Sequence, residues 1–157
     1  MSNKDHNNSF LLVKRSGIQG RGVFAAKRIR KGQRIIEYTG EIIDSEEEDR
    51  RYDDAAMKRH HTFLFKIDEE YTIDATRTGS DARFINHSCE PNCEAVWEDR
   101  RIYIEAIRNI QPGVELTYDY AYEHEGKITR KDREFYRCCC GSPKCRGTIL
   151  KLKRRRN

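Results

Sequence analysis

Three consecutive cysteines, Cys138, Cys139 and Cys140, stand in the run CCCGSPKC, with Cys145 five residues further on. No other feature limits the fold of this chain as much. Adjacent cysteines suit few disulfides, because a bridge needs two converging Cβ vectors. The leading run MSNKDHNNS is polar and lacks the apolar centre of a signal peptide, so nothing points to an oxidising compartment. Thiolate binding of a metal in a reducing compartment is the better account. Cys138, Cys140 and Cys145 form a C-x-C-x4-C pattern, and Gly141, Ser142 and Pro143 let the chain turn so that the sulfurs meet. Cys139 is read as a bystander, since neighbours in sequence rarely face one ion. Three thiolates are one short of a closed tetrahedral zinc site. The fourth ligand must be Cys89 or Cys93 from the middle of the chain, or His124 just upstream. A bound ion would order a tail too polar to fold by itself.

Residues 83–95, RFINHSCEPNCEA, raise a second question. Arg, Asn, His, Ser and two cysteines crowd together, and Pro91 interrupts them. A core strand does not take so many polar groups, because each buried one must find a partner. The stretch is therefore a metal site, a nucleophile, or a loop that holds a ligand through its backbone.

The remainder reads as mainly β. With 157 residues and 36% apolar content the chain suits one domain with a modest core. No apolar run is long enough to span a membrane, and the expected location is intracellular, with nucleus, cytoplasm and signal-independent export all left open. Strands are expected over 10–15, 23–29, once or twice within 33–43, and over 115–120. Hairpins are expected from 62–67 with 71–75, and from 93–98 with 101–106 around Asp99 and Arg100. Ser45, followed by three glutamates, reads as the N-cap of a helix over about 46–59. The net charge of +5 is assigned largely to the tail KLKRRRN, with the rest nearly balanced. Such a tail touches nucleic acid weakly, serves as an address, or stays solvated.

Four motifs occur in a fixed order: GRGVF, RFINHSCEPNC, ELTYDY and CxCxxxxC. Each alone is weak. Their succession resembles the SET-domain protein lysine methyltransferases with a post-SET zinc segment. The resemblance implies a fold of several small β-sheets, few short helices and a knot-like C-terminal threading. It divides the chain into a flexible N-terminus (1–9), a SET domain (10–122), a post-SET segment with the zinc site (123–150) and a basic tail (151–157).

It also implies roles. The methyl donor is S-adenosylmethionine, and the expected cofactor contacts are Gly20, Arg21, Gly22, Phe63, Arg83, Asn86 and His87. Gly20 and Gly22 would let the backbone approach the cofactor, and Arg21 would pair with its carboxylate. The family often has Tyr where Phe63 stands, so one polar contact is missing. The zinc ligands become Cys89, Cys138, Cys140 and Cys145, with Cys93 a packed thiol, and Ile149 and Leu150 cap the adenine. Tyr120 is the catalytic tyrosine, Tyr118 tunes the number of methyl groups towards one, and Tyr38 walls the lysine channel. Asp119 points to the opposite strand face. The substrate is a lysine in a histone tail or another basic DNA-associated protein, recognised by a nearly bare catalytic unit. Two rival readings are a non-catalytic peptide-binding module and a zinc-organised nucleic-acid binder.

Overall fold

Short runs of β-branched and aromatic residues, punctuated by turns, build four small sheets. The computed structural model describes residues 10–52, 63–124 and 126–152. Strands β1 (Leu11–Arg15) and β2 (Arg21–Ala25) form an antiparallel pair. Strand β3 (Arg34–Glu37) joins β8 (Cys93–Glu98) and β9 (Arg101–Ala106) in the order β3-β9-β8. The third sheet has the order β4-β6-β5, from β4 (Glu41–Asp44), β5 (Leu64–Lys66) and β6 (Tyr71–Asp74). Two residues each of β7 (Asn86–His87) and β10 (Thr117–Tyr118) pair in parallel. The helices are α1 (Ser45–Arg51) and α2 (Arg130–Phe135). The fold is mainly β in several small sheets with few short helices, as expected.

The 93–98 and 101–106 hairpin forms with the expected ends. Asp99 and Arg100 turn it with φ of 50° and 64°, as the tight two-residue turns that match strand twist require. Other expectations shift. The strand expected over 23–29 stops at Ala25, and Ile29 pairs only with Ile110. The helix cap is Asp44 and not Ser45, because Asp44 ends β4 in an extended conformation and its carboxylate accepts from Glu47 N at 2.9 Å. Helix α1 ends at Arg51. Tyr52 turns extended, and its hydroxyl donates to Asp74 at 2.7 Å. The rest of the expected helix, residues 53–59, lies outside the described residues, as do 1–9, 60–62, 125 and 153–157. Helix α2 was not anticipated, yet Thr129 and Asp132 form a reciprocal capping box there.

The core is rich in isoleucine, with Ile102 and Ile104 from β9 and Ile29, Ile85 and Ile110 from the segments between strands, all at most 2% exposed. Of the strand expected over 115–120 only Thr117–Tyr118 is regular. It lies beside the polar segment 86–92 and is pinned there. Asn92 Nδ2 donates to Glu115 O at 2.8 Å, and Asn92 Oδ1 accepts from Thr117 N at 2.9 Å. Ser88 N donates to Tyr118 O at 3.3 Å. This crossing of two distant segments answers part of the question raised by 83–95, because its polar groups are the staples. No helix among the described residues is long and apolar enough to cross a membrane.

Candidate active site and metal centre

The turn before β2 begins the site. Ser16 N donates to Gly20 O at 2.7 Å, and Gly20 takes a φ of +49°, where an L side chain is strained. Asn86 holds this turn from below. Its amide nitrogen lies 3.0–3.1 Å from the carbonyls of Gln19 and Arg21 and from Glu115 Oε1. Ser16 Oγ donates to the same carboxylate oxygen at 2.6 Å. Gly22 serves this network. A Cβ there would run into the Glu115 carboxylate, so its missing side chain makes room for Glu115.

Above the turn lies a cavity of about 250 Å³. Of the expected cofactor residues, Gly20, Arg21, Phe63, Arg83, Asn86 and His87 line it, and Gly22 does not. Phe84 and Arg137 line it too and were not anticipated. Phe63 meets Phe84 edge-on at 5.8 Å, and the guanidiniums of Arg83 and Arg21 lie 4.7 Å and 5.8 Å from the Phe84 ring centre. Arg83 also donates to Ala75 O at 2.8 Å, while its buried Nε has no hydrogen-bond partner among the described residues. Ile149 lines the cavity, whereas Leu150 is fully buried and does not line it. Three guanidiniums and no carboxylate border the space, and aromatic rings wall it. That lining fits a molecule carrying both a carboxylate and a flat ring, as S-adenosylmethionine does.

Tyr120 borders the cavity on its inner side. Its hydroxyl donates to Ile85 O at 2.5 Å, and its amide donates to His87 Nδ1 at 3.0 Å. The ring contacts those of Tyr118 at 4.8 Å, His87 at 5.3 Å and Tyr122 at 5.8 Å. From Tyr118 the aromatic chain continues to Phe65 at 5.9 Å and on to Tyr38 at 5.0 Å. Tyr38 and Tyr118 are buried. The structure thus brings the three expected tyrosines together, with Phe65 as an unanticipated fourth ring.

Burial pushes all three phenols upward, so they stay protonated at neutral pH. Burial also holds His87 down at about 4, against the pull of Asp119. A neutral His87 accepts at Nδ1, so its 3.6 Å approach to Asp119 is not an ion pair. Asp119 belongs instead to Arg146, which grips both its oxygens at 2.7 and 2.8 Å. Sequence reasoning assigned Asp119 to the opposite face but missed this partner.

The sulfurs of Cys89, Cys138, Cys140 and Cys145 all lie within 4.8 Å of one another. Two ligands about 2.3 Å from a tetrahedral zinc ion stand about 3.8 Å apart, and Cys89 Sγ and Cys138 Sγ are separated by 3.7 Å. Backbone amides of Cys140, Arg146 and Gly147 point at these sulfurs at 3.3–3.4 Å, as thiolates favour. The four residues therefore fit zinc. Cys139 is exposed and outside the cluster, and Cys93 is buried, its thiol pushed up to about 12 by desolvation. His124 pairs with Asp132 instead, at 3.3 Å.

The segment holding three of these cysteines is tied to the tyrosines. Arg146 offers its amide to Cys89 and its guanidinium to Asp119. His87 Nε2 lies 3.5 Å from Cys89 Sγ while Nδ1 holds Tyr120. Tyr122 and Leu150 form a parallel bridge.

Comparison with known proteins agrees with this architecture. The SET domain family matches residues 20–121. Over 150 residues the chain is 43% identical to "Histone-lysine N-methyltransferase trr" of Drosophila melanogaster, covering 93% of this chain and 6% of that protein. It is 42% identical over 146 residues to "Histone-lysine N-methyltransferase, H3 lysine-4 specific" of Saccharomyces cerevisiae, covering 88% of this chain and 13% of that one. Identity to "Histone-lysine N-methyltransferase 2D" of Homo sapiens is 43% over 144 residues, covering 89% and 2%. This chain belongs to the SET-domain family, and it spans only a small part of the length of these relatives.

Proposed function

We propose that the chain is an S-adenosylmethionine-dependent protein lysine N-methyltransferase. Its substrates are histone tails or other basic DNA-associated proteins inside the cell, and its main product is monomethyl-lysine. One observation carries the reading: Tyr120 borders both the arginine-rimmed cavity and the buried aromatic row. A donor in the first and a lysine in the second would meet at its hydroxyl. The relatives named as histone-lysine N-methyltransferases support the substrate class.

The methyl donor would be held by Arg21, Arg83, Phe63, Asn86 and His87, with Gly20 keeping the turn beneath it, and it supplies an electrophilic methyl on a sulfonium. The chain's own residues do the rest. Tyr38, Phe65 and Tyr118 exclude water from the lysine. An ammonium is disfavoured in such surroundings, so the amine loses its proton more readily than its usual pKa of about 10.4 allows. No side chain in the row acts as base. The phenols are held protonated, His87 Nδ1 is committed to Tyr120, and Asp119 is committed to Arg146. Water takes the proton. Alignment is then the main contribution, worth up to roughly 7–11 kcal/mol of barrier. Zinc held by Cys89, Cys138, Cys140 and Cys145 would be structural, keeping Arg137 and Ile149 at the cavity.

The test is transfer of labelled methyl from S-adenosylmethionine to histones and other basic proteins, read by mass spectrometry. Wild type should label lysine, and Tyr120→Phe should lose about a hundredfold in rate. Cofactor binding with no transfer to any substrate would instead favour the non-catalytic peptide module. Tyr118→Phe should move product from mono- to di- or trimethyl-lysine, and an unchanged product ratio would overturn the product assignment.

A further inference from the structure

The charge of this chain is segregated along its length. Residues 10–34 contain eight Lys or Arg and no Asp or Glu. Residues 35–150 contain seventeen Lys or Arg against twenty-five Asp or Glu. The expectation that everything outside the tail is nearly neutral holds in sum, with 26 Lys or Arg against 26 Asp or Glu, but the two signs are separated: an acidic body carries a strongly basic N-terminal part.

The fold concentrates that part further. After β2 the chain bends, and Ile29 is fully buried while Lys27, Arg28, Arg30 and Lys31 around it are exposed. Ile29 and Ile110 exchange backbone hydrogen bonds at 2.9 and 2.8 Å. Lys31 N donates to Asn109 Oδ1 at 2.9 Å. These bonds bring exposed Arg108 beside the four cations. None of the five takes part in an ion pair among the described residues. Arg34 shows the contrast, since Glu98 and Glu105 neutralise it at 2.6 and 2.7 Å. Uncompensated like charges at one turn repel each other, and a polyanion relieves that repulsion.

We infer that the Lys27–Lys31 turn together with Arg108 is a docking surface for the phosphate backbone of duplex DNA. Arginines supply three of the five cations, and their planar forks suit phosphate oxygens. Asn109 and Gln33 add polar groups beside them, and the one apolar residue between the cations, Ile29, points inward. A membrane-binding turn would present apolar side chains outward; residues 27–31 expose none, and the exposed Phe10 ring beside them is met by Lys27 Nζ, 5.6 Å from its centre. The residues of this surface are distinct in sequence from the tail KLKRRRN. It deepens the proposed function, on which it rests for its purpose: an enzyme that methylates DNA-associated proteins would be held on the same DNA as its substrate.

The experiment measures binding of the full chain to a labelled DNA duplex by fluorescence anisotropy across a salt series. Four proteins are compared: wild type, the turn reversal Arg28→Glu/Arg30→Glu/Lys31→Glu, a tail variant with Lys153, Arg154, Arg155 and Arg156 all changed to Gln, and their combination. Each lost phosphate contact should lower the log–log salt slope by about 0.9. The turn reversal should weaken binding about tenfold or more and lower the slope by about three units, with the tail intact or neutralised. Single Arg28→Ala and Arg30→Ala changes, mild at exposed positions, should each lower it by about one. Equal affinity and slope for the turn variants and their parents would overturn the surface. So would turn-dependent binding to phosphatidylserine vesicles in preference to the duplex. Methyl transfer to a free peptide without DNA should be the same in all four proteins. Transfer without turn-dependent duplex binding would sink the surface and leave the activity standing. Duplex binding without transfer would do the reverse.

Discussion

A carboxylate and a guanidinium decide how the C-terminal segment is held against the tyrosines. Asp119 is 37% exposed and Arg146 21%, so their fork is only partly screened from water. Replacing Asp119 by Ala should cost about 1 kcal/mol of stability, read by urea denaturation. Amide exchange at 145–150 should quicken as well. The loss should be concentrated there, because the Arg146 guanidinium also donates to Leu150 O at 3.1 Å. Gly22 makes a comparable point. Its Cα–H leaves the space occupied by a carboxylate that Ser16 and Asn86 both use. A sequence shows that a glycine is present but not which atom lies against it.

At the scale of elements, α1 is held to the third sheet by Asp74, which is 3% exposed. Burial works to raise its carboxyl, yet hydrogen bonds from Thr76, Tyr52 and Arg51 outweigh it and hold it below the usual carboxylate range. A carboxyl with a depressed folded pKa adds stability that is complete above the unfolded value of about 3.9 and is lost as pH falls through the folded value. Asp74→Asn should therefore cost about 2 kcal/mol at neutral pH, and the difference from wild type should shrink as pH falls below 4. A gap that stayed constant down to pH 2 would contradict the assignment. Gly40, just before β4, is equally constrained, since a Cβ there would lie 2.7 Å from Asp74 O. The C-terminal segment depends on its cysteines. Zinc-loaded protein should contain one ion per chain. Chelation should lower the melting temperature and release 136–152 to rapid amide exchange while the β3-β9-β8 sheet stays protected.

At the scale of the whole molecule, two distributions matter. Apolar residues converge on one core to which each sheet adds a few side chains, so no sheet is large enough to stand alone. Charge does the opposite and separates into a basic N-terminal part and an acidic body, which counting only the net +5 conceals.

What the sequence determined by itself was local. The Asp99–Arg100 hairpin, the turn at Gly20 and the C-x-C-x4-C spacing depend on residues close together in the chain, where backbone preferences act directly. The four motifs in order were enough to indicate the family and most of the cavity's lining. Only the tertiary structure decided which distant groups meet. It selected Cys89 over Cys93 and His124 to complete the sulfur cluster. It gave Asn86 and Asn92 their stapling partners, set Phe65 between Tyr38 and Tyr118, matched Asp119 with Arg146, and brought Arg108 to the basic turn. The physical reason is the parallel crossing of β7 and β10. A period-two pattern says which face of a strand is apolar, but it does not say which strand lies alongside it. Once that crossing is made, segments about 30 residues apart share a register, which sets the partners of Asn86, Asn92 and Asp119 near it, while the separate Ile29–Ile110 bridge brings Arg108 to the basic turn.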